Sequence, residues 1–200
     1  MNCFLKIFLI LLFISTTVNA GNVDDWLKNE IDSILNIYRD NQINNIERFD
    51  KIEDTINKNF AGAGIAKFVS GKAWATANKE TKKKYIKLFK RHLALNIASM
   101  MKGYSTQTYE LINTKKDETS DVILIDMEIT DQANKILITW RIKESKNQFY
   151  VIDLLVADIS LVVTKRSEFN SMLKKANYDL SIFNKTLDSQ NQLSYNKIIN

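Results

Sequence analysis

The chain has 200 residues, a formal net charge of +5, one cysteine and no proline. A single cysteine excludes a disulfide framework, and basic residues without arginine–aromatic interleaving argue against a nucleic-acid partner. The mild positive balance points instead to anionic lipid surfaces or acidic proteins, and the length fits one domain that buries about 70% of its unfolded surface.

Residues 1–20 read as a secretory signal peptide. Lys6 sits in a short n-region, Ile7 to Ile14 form an apolar run, and Val18 and Ala20 occupy the −3 and −1 positions before Gly21. The run is too short to cross a bilayer, which takes about 20 residues. Cleavage leaves a chain without cysteine, bound for the periplasm. Its domain spans 21–188, followed by a polar tail, 189–200, expected to fray.

The first helix is capped by Asp24 or Asp25 and carries Leu27, Ile31, Ile34, Leu35 and Tyr38 at helical spacing. A second carries Ile43, Ile46, Phe49, Ile52 and Ile56, and Gly62 and Gly64 interrupt it. A short third helix through Ile65, Phe68 and Val69 stops at Gly71, and Trp74 follows on a loop. Asn78 caps the longest helix, 79–102, which ends at Gly103. Its stripe is Tyr85, Phe89, Leu93, Ile97, Met100 and Met101, running on to Tyr104, and its charged face carries Lys82, Lys83, Lys87, Lys90 and Arg91.

The hydrophobic period then changes from 3.6 to 2. Four strands are expected at 105–113, 121–130, 134–143 and 148–157, joined by loops at 115–120, 131–133 and 144–147. Short connections favour an antiparallel meander. Strict alternation places Tyr109, Leu111, Ile123, Ile125, Met127, Ile129, Ile136, Ile138, Trp140, Ile142, Tyr150, Ile152, Leu154 and Val156 on one face, and Asp126, Glu128, Thr139, Arg141 and Asp153 on the other. Thr164 is expected to cap a helix bearing Phe169, Met172, Leu173 and Ala176. Asn177 ends it, and Asp179 starts a last helix with Leu180, Phe183 and Leu187. The fold class is α+β, a curved four-stranded antiparallel sheet against several helices.

Catalytic signals are sparse. The one histidine, His92, lies in a Lys-Arg-His run on the long helix. There is no metal-ligand spacing, phosphate-binding glycine loop or nucleophile elbow. Asp153, set in an apolar strand, could serve an acid/base enzyme if its environment raised its pKa. A ligand-free adaptor with a solid core is a further alternative. The apolar inventory, with the adaptable Met100, Met101 and Met127, fits either a filled core or a lined cavity.

Three stretches carry a resemblance: FAGAGIAKFVSGKAW, KETKKKYIKLFKRHLALNIASMMKGYS, and ITWRIKES followed by FYVIDLLVADISLVVTKRSEF. Their most specific residues are Phe149, Val151, Asp153, Ser160, Leu161, Val162, Arg166 and Phe169, with Gly71, Trp74 and Tyr104 as further anchors. Together they resemble the MlaC family of periplasmic phospholipid-binding proteins, also called toluene-tolerance proteins, over about residues 25–188. The family's Gly before the Val-Ser pair is Asp158 here, and its Tyr before the Arg is Lys165. An Asp-Phe pair and an Arg often found near the third helix are Ala61-Gly62 and Lys67.

The resemblance implies a non-enzymatic carrier that needs no cofactor and holds phospholipid as cargo in an apolar cavity between helices and sheet. It implies two partners, an outer-membrane lipoprotein–porin complex and an inner-membrane ABC transporter complex with a periplasmic lipid-binding subunit. Such a carrier maintains outer-membrane lipid asymmetry. Lipid contacts would come from Phe89, Leu93, Ile97, Met101 and Phe169 on helices. On strands they would come from Tyr109, Ile125, Met127, Ile138, Trp140, Ile152, Leu154 and Val156. Asp153 and Arg166 would be structural. Two acyl chains carry about 30 methylenes, whose exposure costs on the order of 20 kcal/mol, so a cavity of around 1,000 Å³ or more is expected.

Overall fold

The computed structural model describes residues 23–102, 106–117 and 119–200. The signal segment, the Gly103 stop and Tyr104 lie outside them. The elements are α1 (Val23–Arg39), α2 (Asn45–Asn59), α3 (Gly62–Ser70), α4 (Ala73–Thr76) and α5 (Lys79–Met101). They continue with β1 (Thr108–Lys116), β2 (Val122–Asp131), β3 (Asn134–Ser145), β4 (Gln148–Val156), β5 (Ile159–Ser160), α6 (Leu161–Lys175) and α7 (Leu180–Ile199). The sheet is an antiparallel meander in the order β1-β2-β3-β4-β5. The class is α+β as expected, with a fifth, two-residue strand added to the four.

Three apolar clusters hold the layers together. Leu27 of α1 packs on Ile125, Ile142 and Val151 of the sheet. Phe49, Ile52 and Ile56 of α2 pack on Ala94, Leu95 and Ala98 of α5. Tyr85 and Phe89 of α5 join Phe169 and Leu173 of α6 and Phe183 and Leu187 of α7. The long helix is therefore central, because its stripe is wide enough to serve two clusters at once. Burial pushes the Tyr85 phenol up, and its hydroxyl has no hydrogen-bond partner.

Helix ends follow local chemistry. The Asn44 side chain accepts from the backbone N–H groups of Ile46 and Glu47, and that of Asn78 from Thr81. Asp179 accepts from Ser181 and Ile182. Gly71 takes φ +54° at the end of α3, a conformation that favours glycine. Lys84 reaches Asp188 of α7 at 3.9 Å, and Lys82 lies 5.4 Å from the Trp74 ring centre, so the lysine run sits on a solvated face.

Several expectations are corrected. Trp74 lies in the short helix α4. Gly62 and Gly64 form the first turn of α3, where a Cβ on Gly62 would meet the Lys90 side chain at 2.8 Å. β1 runs on to Lys116, three residues past its expected end. Asp24 and Asp25 lie in the first turn of α1. Ser160, not Thr164, caps α6, accepting from the Val163 N–H at 3.0 Å. The tail does not fray, because α7 continues to Ile199 and its Asn191 is 1% exposed.

The largest correction concerns the sheet. Arg141 pairs with Asp153, but the next residue, Ile142, pairs with Val151. Ile152 is thus an extra residue in a β-bulge, and the alternation of β4 changes phase there. Val151 takes the core position, with Phe149 partly buried against the same cluster, so Tyr150 and Ile152 do not share the face of Leu154 and Val156. The Val151 carbonyl accepts from the Ala61 N–H at 2.9 Å, which ties the α2–α3 joint to the bulge.

Candidate functional site

The bulge and the α2–α3 joint position a cleft between α3, α5, the N-terminal half of α6 and β4. Its volume is about 310 Å³. Phe60, Ile65, Phe89, Leu93, Ile97, Leu154, Leu161 and Val162 supply apolar walls. Polar groups stand among them: Asn96, Ser99, Thr164, Lys165 and Glu168 come from the helices, and Asp153 from β4. A second, smaller void of about 70 Å³ lies between α1, α2 and the sheet, and Phe60, Ile97, Trp140 and Val151 line it. Phe60 and Ile97 border both voids.

Of the residues expected to meet ligand, Phe89, Leu93, Ile97 and Leu154 come together at the cleft, and Trp140 borders the smaller void. The others go elsewhere. Ile125 and Met127 are 0% and 4% exposed within the sheet. Met101 packs beside the α2–α5 cluster. The Tyr109 hydroxyl donates to Asp32 of α1 at 2.6 Å. Phe169 sits edge-on to Phe89, Phe183 and His92 in an aromatic cluster. Ile138 and Val156 pair with each other across β3 and β4. Ile152 borders a shallow cleft with Phe68, Arg141 and Val163. Phe60, Leu161 and Val162 were missed as lining residues. Leu161 and Val162 could have been found from their place in the Ser-Leu-Val turn, and Phe60, the C-cap of α2, from its place four residues after Ile56 in the stripe of that helix.

Asp153 is a buried carboxylate, 5% exposed. One oxygen, Oδ1, accepts from the backbone N–H groups of Leu154 at 2.8 Å and Val162 at 3.1 Å. The other, Oδ2, accepts from the Ser160 hydroxyl at 2.6 Å and lies 3.5 Å from the Arg141 guanidinium. Ser160 in turn caps α6, so this carboxylate fixes how α6 leaves the sheet. Arg166 donates to the Phe68 carbonyl at 2.9 Å and lies over the Phe68 ring at 4.4 Å, joining α6 to α3.

His92 lies beside the cleft, where its Nδ1–H donates to Asn191 Oδ1 at 3.2 Å. Burial, helped by the Lys165 ammonium and opposed by the Asn191 hydrogen bond, pushes its pKa down to about 4. The folded state therefore holds neutral imidazole, and the unfolded chain binds the proton more tightly. This stability is complete above pH ~6.5 and is lost as pH falls through the folded pKa. Acid titration monitored by circular dichroism should show a smaller stability loss between pH 6.5 and 4 in His92→Gln than in the parent. Equal slopes would contradict the assignment.

Among the described residues no three His, Cys, Asp or Glu side chains could hold a metal ion, and no helix is long and apolar enough to cross a membrane. The fold and site define a class: α+β proteins whose meander sheet and helical layer enclose an apolar cleft with polar groups at its border. The model of the family described as MlaC protein matches residues 28–184. The chain belongs to the MlaC family. A solved structure with similar fold is the phospholipid-binding protein of Ralstonia solanacearum, crystallised in complex with a phospholipid. It superposes with a TM-score of 0.73 at 15% identity, covering 87% of this chain and 99% of that one. No curated protein matches the sequence.

Proposed function

We propose that this protein is a periplasmic phospholipid carrier, exported by the signal segment at residues 1–20. In this reading it takes lipid from one membrane complex and delivers it to another, with acyl chains in the cleft between α5, α6 and β4. The partners are an outer-membrane lipoprotein–porin complex and an inner-membrane ABC transporter complex, and the outcome is maintained outer-membrane lipid asymmetry. No bond is made or broken, so the cargo is the only ligand and Asp153 takes no part in chemistry.

The observation that carries the reading is the cleft itself, with Phe89, Leu93, Ile97 and Leu154 as its apolar walls and charged groups beside them. Family membership and the ligand of the Ralstonia protein support it. The void of about 310 Å³ is well below the ~1,000 Å³ expected for two chains. Loading therefore requires the layers to part. Phe60 and Ile97 stand between the two voids, so their displacement would join them into one longer cavity. Exposure of about 30 methylenes in water costs far more than a lipid can bear during transfer, so the opened layers must close over the chains.

The test is uptake. Protein stripped of lipid and mixed with phospholipid vesicles should carry phospholipid after separation, at about one lipid per chain. Protein that stays empty would contradict the proposal.

A further inference from the structure

The carrier reading leaves open which headgroups are taken. At the border of the cleft Lys165 forms an ion pair with Glu168, at 2.7 Å and three residues apart on α6. Lys165 is the more enclosed member, its side chain 20% exposed against 47% for Glu168. It is also anchored from across the cleft, donating to Asn96 Oδ1 on α5 at 3.1 Å. Asn96 is itself fixed, because its amide donates to the His92 carbonyl at 2.6 Å. An ammonium has three N–H donors, and Asn96 and Glu168 engage two of them. Both charged groups line the same cleft as Phe89, Leu93 and Leu154, so a lipid whose tails fill those walls has its headgroup within reach of them.

We propose that Lys165 and Glu168 form a headgroup-recognition site for a zwitterionic phosphate–amine group, as in phosphatidylethanolamine. The inference rests on the carrier reading. The lipid phosphate takes the Lys165 ammonium, already held in place by Asn96. The lipid primary ammonium takes the Glu168 carboxylate, which faces more water. An ion pair with a half-exposed member adds little net stability in water, so exchanging one partner for another costs little. Both protein charges then remain compensated, which matters at a border being dried by lipid. A purely anionic headgroup such as phosphatidylglycerol satisfies Lys165 but sets its negative charge beside an unpaired Glu168. A choline headgroup brings a cation without N–H donors and forgoes the hydrogen bonds to the carboxylate. The pair thus discriminates by repulsion as well as attraction.

The experiment loads lipid-free protein from vesicles of equimolar phosphatidylethanolamine and phosphatidylglycerol, then measures the bound lipids by mass spectrometry. The parent should be enriched in phosphatidylethanolamine by roughly fivefold, the ratio expected of a modest charge interaction. Glu168→Gln should erase the enrichment with total occupancy retained, and Lys165→Glu with Glu168→Lys should also retain tails while altering the ratio. A parallel arm adds soluble phosphoethanolamine at millimolar concentration. The enrichment should persist, because the site acts on a headgroup tethered by its tails. Equal loading of both lipids by the parent overturns the proposal, as does an enrichment untouched by Glu168→Gln. Displacement of lipid by soluble phosphoethanolamine overturns it in favour of a small-molecule site. A parent that takes up no lipid overturns the carrier reading, and this inference with it.

Discussion

Leu154→Arg should abolish lipid loading while the protein stays folded. Leu154 lies on β4 opposite Trp140, is only partly buried and lines the cleft. An arginine there can direct its guanidinium toward the polar border while its stem fills the space that an acyl chain would use. Displacing two or three methylenes costs about 2 kcal/mol, and about 1.4 kcal/mol is a factor of ten. Occupancy should therefore fall at least tenfold. Leu93→Arg, on the facing helix α5, should act alike, which separates blocked binding from damage to the sheet. Lys83→Ala, on the solvated face, should load normally. Met127→Arg is a different experiment, because Met127 is 4% exposed within the sheet and its replacement unfolds the core. Equal loading by the two leucine variants and the parent, with unchanged circular dichroism, would place the acyl chains elsewhere.

The second large effect is on stability. Asp153→Ala removes the acceptor for two backbone N–H groups and one hydroxyl, all part-buried. Hydrogen bonds to a charged group are worth about 1.5–3 kcal/mol each, and a buried donor left unpaired carries its own desolvation cost. Because water can reach part of this corner, a total loss of about 3 kcal/mol is expected, or about 6–12 °C in melting temperature for a domain of this size. Asp153→Asn keeps an oxygen for Leu154 and Val162, so it should lose about half as much. Folded Asp153→Asn should still take up lipid. Loss of uptake with the fold intact would favour the acid/base alternative over a structural carboxylate. Thermal denaturation together with the vesicle assay reads both outcomes.

Much of the architecture was legible because its signals are local. Asn78, Asp179 and the stripe of α5 place two helices from side-chain chemistry and spacing alone. For Asp153 the sequence leaves two readings, an acid/base group or a carboxylate bonded to a neighbouring backbone or to Arg141, and the local contacts are those of the second. The bulge was not legible. One unpaired residue, Ile152, carries no sequence mark, since Val151, Ile152, Leu154 and Leu155 are interchangeable in hydrophobicity. The hydrogen bond from Ala61 to Val151 and the packing of Val151 on Leu27 join residues distant in sequence, and neither contact is marked in the strand itself.

The tail was misjudged for a related reason. Within it Asn191 looks polar and solvent-facing, yet it donates to the Leu88 carbonyl of α5, as Asn184 earlier on α7 donates to that of Thr81. Buried amides that find backbone acceptors on a neighbouring helix behave as core residues, and the neighbour cannot be read from the tail itself. The candidate site was legible only in part. Periodicity selects the inward stripe of a helix, but it cannot separate Leu93, which borders a void, from Ile125, which meets solid core. That distinction depends on how far apart two layers stand.

The proposed cargo of the cleft is phospholipid. Native mass spectrometry of the protein purified without detergent or organic solvent tests it most directly. The expected result is a mass increment matching one phospholipid, lost in Leu154→Arg and Leu93→Arg and retained in Lys83→Ala. A parent protein at its bare polypeptide mass, which also stays empty after incubation with vesicles, would contradict the account.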